Sequence, residues 1–265
     1  MKISNATIDI APRGSAALVD LAVLFYRRHF ALLLSLTAIF GFPAVLLAMS
    51  VHHLSGSVWL SLCTLLLLLP LLSGAIVLAA SRIVFGDTLT VVEVLGVYRP
   101  LWARYLGRKL LENLVSLLLS PLLIGYVMHL GYAYTAPVGL LEQLRGRELR
   151  VRRRGLHRRS GASALGFDLM SMLVVLLLGI GAISLVELTL GSIFTVWQET
   201  GIRSVDVFDD PIRFGMWMAV CVMAYPIYVL GWFFRYLDAR IRAEGWDLEL
   251  DFRRAAERLS EGENG

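Results

Sequence analysis

LLENLVSLLLSPLLIGYVMHLGYAYTAPVGLLEQLRGRELRVRRRGLHRR, residues 110–159, decides the architecture. Its first part, 110–141, is apolar but interrupted by Ser120-Pro121, Gly125 and Gly131. Its second part carries the arginines of a segment, 142–160, that holds eight of them. Proline removes a backbone donor and clashes with the preceding turn, so Ser120-Pro121 is a natural break. A helix needs about 20 apolar residues to cross the hydrocarbon core of a bilayer. The 32 residues of 110–141 are too few for two such spans and a turn. The segment therefore reads as a broken or re-entrant hairpin, whose irregular backbone needs shielding by neighbouring helices.

Working outward, four further apolar runs have the length of full spans: about 30–51, 57–80, 167–190 and 214–234. Charges gather between them, at 1–29, 82–109, 142–168, 199–213 and 235–263. Cytoplasmic loops carry an excess of Lys and Arg, so Arg27 and Arg28 put the N-terminal flank inside. The His52-His53-Leu54-Ser55-Gly56 turn, without Lys or Arg, falls outside. Arg82, Arg99, Arg104, Arg108 and Lys109 then lie inside. A single crossing by 110–141 would put the eight-arginine segment outside and the acidic 199–213 loop inside. A hairpin that enters and returns on one side removes both conflicts.

The expected fold is an all-α, polytopic transmembrane bundle of four full spans plus the hairpin, with amphipathic interfacial helices. Residues 1–260 form one transmembrane domain, with 236–265 as a cytoplasmic amphipathic tail. Both termini are expected in the cytoplasm of a bacterium, at its inner membrane. Composition agrees: 57% of residues are hydrophobic and 17% charged, against about a quarter charged in soluble domains. Cys63 and Cys221 fall in apolar runs and read as packing residues, not a disulfide. The first apolar run lacks a small-residue cleavage site and reads as an uncleaved span.

Pro43 beside Gly41, and Pro70 with Gly74, predict bends in the first two spans. Thr90-Val-Val-Glu93 has capping-box spacing at the head of an amphipathic stretch, 86–106, whose Pro100, Trp102 and Tyr105 suit the interface. Gly74-Ala75 and Gly179-Ile-Gly181-Ala182 offer small surfaces for close helix packing.

Ionisable residues within membrane segments are functional candidates, and here they are few. Glu187, with Ser184 one turn away on the same face, leads; His129 lies deep in the hairpin; Glu112 stands near its start, where it can snorkel beside Arg108. Arg152, Arg153, Arg154, Arg158 and Arg159 suit anionic lipid headgroups, at about 1 kcal/mol per basic residue near the surface. The arginine segment lacks the interleaved aromatics that stack on bases, so nucleic acid is not expected. Adjacent His52 and His53 do not converge as metal ligands must, and no phosphate loop or nucleophile elbow occurs. No metal and no cofactor is expected.

The tail alternates charge: Asp238 and Arg242, and Arg240 and Glu244, stand four apart, as helical pairs do. Tyr236, Leu237, Ile241, Trp246 and Leu248 are expected to order it by burial at the interface or against 88–106. Tyr236, Asp238, Arg240, Arg242, Glu244, Trp246 and Leu248 are candidates for docking a partner protein.

Arg235-Tyr-Leu-Asp238-Ala-Arg240-Ile-Arg242-Ala-Glu244-Gly245-Trp-Asp247-Leu-Glu249 resembles the ending of a bacterial multi-pass membrane family. That family is similar to the membrane domain of glycerophosphodiester phosphodiesterases. Leu24-Phe-Tyr-Arg27-Arg28-His29-Phe30 resembles its opening, and Ala136-Pro137-Val-Gly-Leu-Leu141-Glu142 its hinge. The resemblance implies a membrane unit without the soluble catalytic barrel, whose paired carboxylates and histidines have no counterpart in this chain. The expected function is non-enzymatic: a scaffold or accessory subunit binding a membrane or cytoplasmic protein at the cytoplasmic face. The alternative is a small transporter or channel-like protein using the broken hairpin.

Overall fold

Gly56 ends the first long apolar helix in a left-handed conformation, φ 63°, which glycine adopts without steric cost. Ser57 opens the next by accepting a hydrogen bond from the Leu60 amide at 3.4 Å. The turn is tighter than the sequence suggests, because residues 52–55 are still helical. Such local signals divide the chain, in this computed structural model, into nine helices and no strand among the described residues, which are 13–86, 89–119, 124–159, 164–193 and 211–244. The side chains of Arg104, Arg159, 186–193 and 211–213 are also outside the description. So are several sequence-based expectations: the Ser120-Pro121 break, the acidic 199–210 segment, the Glu187 side chain, and Trp246 and Leu248.

The helices are α1 (Ser15–Arg28), α2 (Phe30–Ser55), α3 (Val58–Val84), α4 (Val91–Leu118), α5 (Ile124–Tyr132), α6 (Thr135–Leu141), α7 (Gly146–Arg159), α8 (Ala164–Ile193) and α9 (Pro211–Glu244). Four of them, α2, α3, α8 and α9, contain stretches long and apolar enough to cross a membrane. The protein is an all-α integral membrane bundle.

Lipid tails are as apolar as leucine, so helices associate in a bilayer by close packing and polar links. Gly74 of α3 shows the first. A Cβ there would come within 3 Å of Tyr98 and Tyr105 of α4, so the absent side chain lets α4 lie on α3. Ser73 and the Tyr105 hydroxyl bond at 2.8 Å, and Asn113 Nδ2 donates to the Leu66 carbonyl at 3.0 Å. These two links run α4 antiparallel to α3. Gly179 and Gly181 of α8 have no neighbour within 4 Å of a built Cβ, so the second small-residue run makes no such contact among the described residues.

The capping box forms as the spacing predicts: Thr90 accepts from the Glu93 amide and Glu93 from the Thr90 amide, at 3.4 and 2.8 Å. The helix it starts is longer than expected. α4 runs unbroken from Val91 through Leu118, with Pro100 inside, and joins the interfacial stretch to the descending arm of the hairpin. α5 then returns against α4, and the Gly125 amide donates to the Leu119 carbonyl across the break, at 3.0 Å.

Residues 146–159 form a helix, α7, where the sequence reads as a loop. The segment has too few apolar residues to show a helical stripe; Leu149 and Leu156 alone are buried apolar anchors, and the intervening inward positions are charged. The tail forms the helix and the two charge pairs that its spacing predicts: residues 236–244 continue α9 without a break. Of the two packing partners expected for it, 88–106 is not the one used within the described residues; its ties run to Arg13, ahead of α1, and to Arg152 of α7.

Candidate functional site

Two buried polar clusters, each centred on a carboxylate, lie at the hairpin. The first is Asp168, fully buried near the start of α8. Its Oδ1 accepts from the Tyr228 hydroxyl at 2.7 Å and from Trp232 Nε1 at 3.1 Å. Its Oδ2 accepts from the Tyr126 hydroxyl at 2.7 Å. Tyr126 lies on α5, Tyr228 and Trp232 on α9, so one carboxylate binds three helices. His129, one turn beyond Tyr126, bonds the same Tyr228 hydroxyl through Nε2 at 3.2 Å. Arg235 stacks beside this cluster, its guanidinium 4.9 Å from the Phe167 ring centre and 5.6 Å from that of Trp232.

The second cluster surrounds Glu112 of α4, which is buried instead of snorkelling outward. Arg108 Nε lies 3.2 Å and Arg153 Nη1 3.2 Å from its Oε1, and Lys109 Nζ lies 3.9 Å from Oε2. Arg153 also donates to Thr135 Oγ1 at 2.9 Å and stands 4.6 Å over the Tyr132 ring. Lys109 donates to the Tyr132 carbonyl at 3.4 Å. Burial lowers the pKa of Arg153, with Glu112 opposing it. The neighbouring His157, stacked on Tyr134 at 4.3 Å, is lowered to about 4 by burial and by Arg153 and Arg235.

Three adjoining cavities open beside these clusters, of about 600, 250 and 60 Å³, and Asn113 and His129 line all three. The largest is walled by Leu169, Leu173, Leu176 and Ile180 of α8, with Tyr228, Tyr225 and Trp217 of α9. Those four aliphatic residues are themselves exposed, so the space is a groove open along the apolar flank. Its floor is polar and its walls are greasy.

No family model, no curated protein and no solved structure matches this chain.

The candidates named from sequence have different fates. His129 and Glu112 stand at the two clusters. Ser184 is exposed on the outer half of α8, away from both. Arg154 and Arg158 are exposed and, with Arg147 and Arg150, form the outer face of α7. Arg152 and Arg153 turn inward, toward Glu142 and Glu112. Arg152 donates to Glu142 through Nε and Nη2, at 2.8 and 3.2 Å, and also to Glu244. Burial opposes its charge, but these bonds more than offset that and raise its pKa.

The docking candidates of the tail are also used within the fold. Tyr236, fully buried, donates to Glu142 at 2.7 Å. Arg240 pairs with Glu244 at 3.0 Å, and Arg242 with Asp238 at 2.9 Å. Asp238 also accepts the Arg13 amide at 2.8 Å, and Arg242 donates to the Arg13 carbonyl at 3.1 Å. The tail charges thus tie the start of α1 and the arginine helix to the end of α9.

Sequence reading did not single out Asp168, nor Tyr126, Tyr228 and Trp232, as site residues. The only available signal was an acidic residue heading a long apolar run. Its three donors come from 42 to 64 residues away, and nothing local links them.

Proposed function

We propose that this integral membrane protein is a small, non-enzymatic transporter or carrier that takes up a molecule with an apolar body and a hydrogen-bonding end. One observation carries the reading: His129, on the returning arm of the broken hairpin, lines three adjoining cavities and is joined through Tyr228 to the buried Asp168. Binding sites are mostly apolar with a few placed polar groups, and broken helices at depth are where transporters hold their substrates. Asp168 already accepts from three donors, which suits a rigid binding floor better than a reacting group.

The resemblance noted in the tail, opening and hinge supports a multi-pass membrane unit. We place both termini on the cytoplasmic side of a bacterial inner membrane. The ties from Arg152 to Glu244 and from Arg242 to Arg13 support this, because they bring the arginine helix, the end of α9 and the start of α1 to one end of the bundle. The exposed row Arg147, Arg150, Arg154 and Arg158 favours contact of that end with anionic headgroups. A scaffold role through the tail charges has less support, since those charges are engaged internally.

The test is photolabelling of the purified, delipidated protein with a phosphatidylcholine bearing a diazirine in its acyl chain. Labelling should saturate near one probe per protein and map to residues 169–180 and 217–228. Leu176→Trp, which fills the groove, should abolish the saturable part. Non-saturable labelling spread evenly over all apolar helices, and unchanged by that variant, would sink the proposal.

A further inference from the structure

We infer that a second cavity, of about 480 Å³ between α4, α6 and α7, is a binding site for a phosphate group. It shares no lining residue with the three cavities around His129, so it stands apart from the carrier reading.

Charge balance is the first argument. Arg108, Lys109 and Arg153 converge on the single carboxylate of Glu112. Three positive charges against one negative leave two uncompensated, and Lys109 and Arg153 are buried. Buried charge is costly unless it is paired. Lys109 faces the smallest of the cavities around His129, while the arginine side of this excess faces the cavity between α4, α6 and α7. Arg108 lines the cavity, as do Thr135, which touches Arg153, and Arg145 from the segment leading into α7. Arg108 offers only its Nε to Glu112, which leaves its terminal amines for the planar, two-pronged contact that guanidinium makes with phosphate oxygens. Gln143 lines the same wall and holds a left-handed backbone, φ 53°. It is the residue just beyond the C-cap of α6, where a left-handed conformation ends the helix.

The rest of the lining, Leu101, Tyr105, Leu140 and Leu149 among it, is apolar or aromatic. A phosphate presented by a lipid headgroup and a free phosphate share the chemistry that this cavity would read. An anion there offsets the excess charge that Glu112 leaves, and it joins α4 to α6 and α7.

The experiment uses the full-length protein in neutral detergent at constant ionic strength. Melting temperature is followed against inorganic phosphate in one arm and short-chain phosphatidylglycerol in the other, since a ligand of the native state raises it. A saturable rise is expected in at least one arm. A rise with both marks the phosphate group itself; a rise with the lipid alone marks a headgroup site; a rise with phosphate alone marks a soluble anion. Arg145→Gln and Arg108→Gln should each weaken the apparent affinity about tenfold, the scale of one charge-assisted bond. In the inorganic-phosphate arm, Arg154→Gln, on the exposed face, should leave it unchanged. Arg108→Gln disturbs the Glu112 cluster and can fail to fold; Arg145 is exposed and pairs with none of that cluster, so its variant still decides. No rise in either arm overturns the inference. So does a rise that survives Arg145→Gln and vanishes with Arg154→Gln, which would assign the effect to the surface arginines.

Discussion

Asp168 and Glu112 are both buried carboxylates beside the hairpin, satisfied in opposite ways. Asp168 takes three hydrogen bonds from two phenols and an indole, groups that are neutral. Glu112 takes contacts from two guanidiniums and an ammonium, and its Oε2 has no hydrogen-bond partner. The first arrangement is closed: its donors are apolar rings with polar tips, supplied by helices that pack anyway. The second is open, with more cation than anion and a cavity alongside. The difference suggests a division of labour, in which Asp168 locks α5, α8 and α9 together while the Glu112 cluster is poised to receive charge.

The comparison can be broken most sharply at Glu112. Glu112→Gln should destabilise the protein by about 3–5 kcal/mol, the cost of leaving buried cations without their anion, as read from equilibrium unfolding in mixed micelles. Adding inorganic phosphate should recover part of that loss if the neighbouring cavity takes anions. A loss under about 1 kcal/mol would mean that water or lipid already balances the cluster, a scale set by exposed pairs.

Asp168→Asn should cost less, about 1–3 kcal/mol, because one carbonyl oxygen remains for the donors while the new amide faces a phenol. Its signature should be local: faster hydrogen exchange in α5 and the first turns of α8, with α2 and α3 unchanged. A uniform loss across the bundle would show that the carboxylate matters to global folding more than to this junction.

The smallest effect is a pH dependence at the edge of the Glu112 cluster. His157 has its pKa lowered to about 4 in the folded protein, against about 6.5 in the unfolded chain. Between those values the unfolded state binds the extra proton, so the contribution of His157 to stability is complete above pH 6.5 and is lost as pH falls toward 4. Protonation would add a cation beside Arg153. His157→Phe should keep the stacking on Tyr134 and flatten the slope of stability between pH 6.5 and 5. An unchanged slope would assign the acid sensitivity to other groups.

Much of the fold was legible because the bilayer leaves few choices. Apolar runs of span length mark α2, α3, α8 and α9, and the apolar stretch too short for two spans turns back on itself, as α5 returns against α4. Gly74 and the Thr90–Glu93 box were readable too, since each acts through its nearest neighbours. The candidate site was half legible. His129 and Glu112 stand out as polar letters in apolar text, but their partners do not. A carboxylate near a span's end, such as Asp168, ordinarily meets water, and only the phenols and indole delivered by α5 and α9 make its burial tolerable.

The sequence by itself determined which segments enter the membrane, how the hairpin is bracketed and where positive charge accumulates, because those properties follow from transfer energies summed along the chain. Tertiary structure alone decided which charges face inward. Arg152 and Arg154 are two residues apart in one arginine run, and helical geometry turns the first toward Glu142 and Glu244 while the second stays exposed. The same holds for the tail, where Asp238 and Arg242 form the helical pair their spacing allows yet also clasp the backbone of Arg13, 225 residues away. Composition counts such charges, but only packing places them, since a pairing over that distance exists only once the helices between have folded.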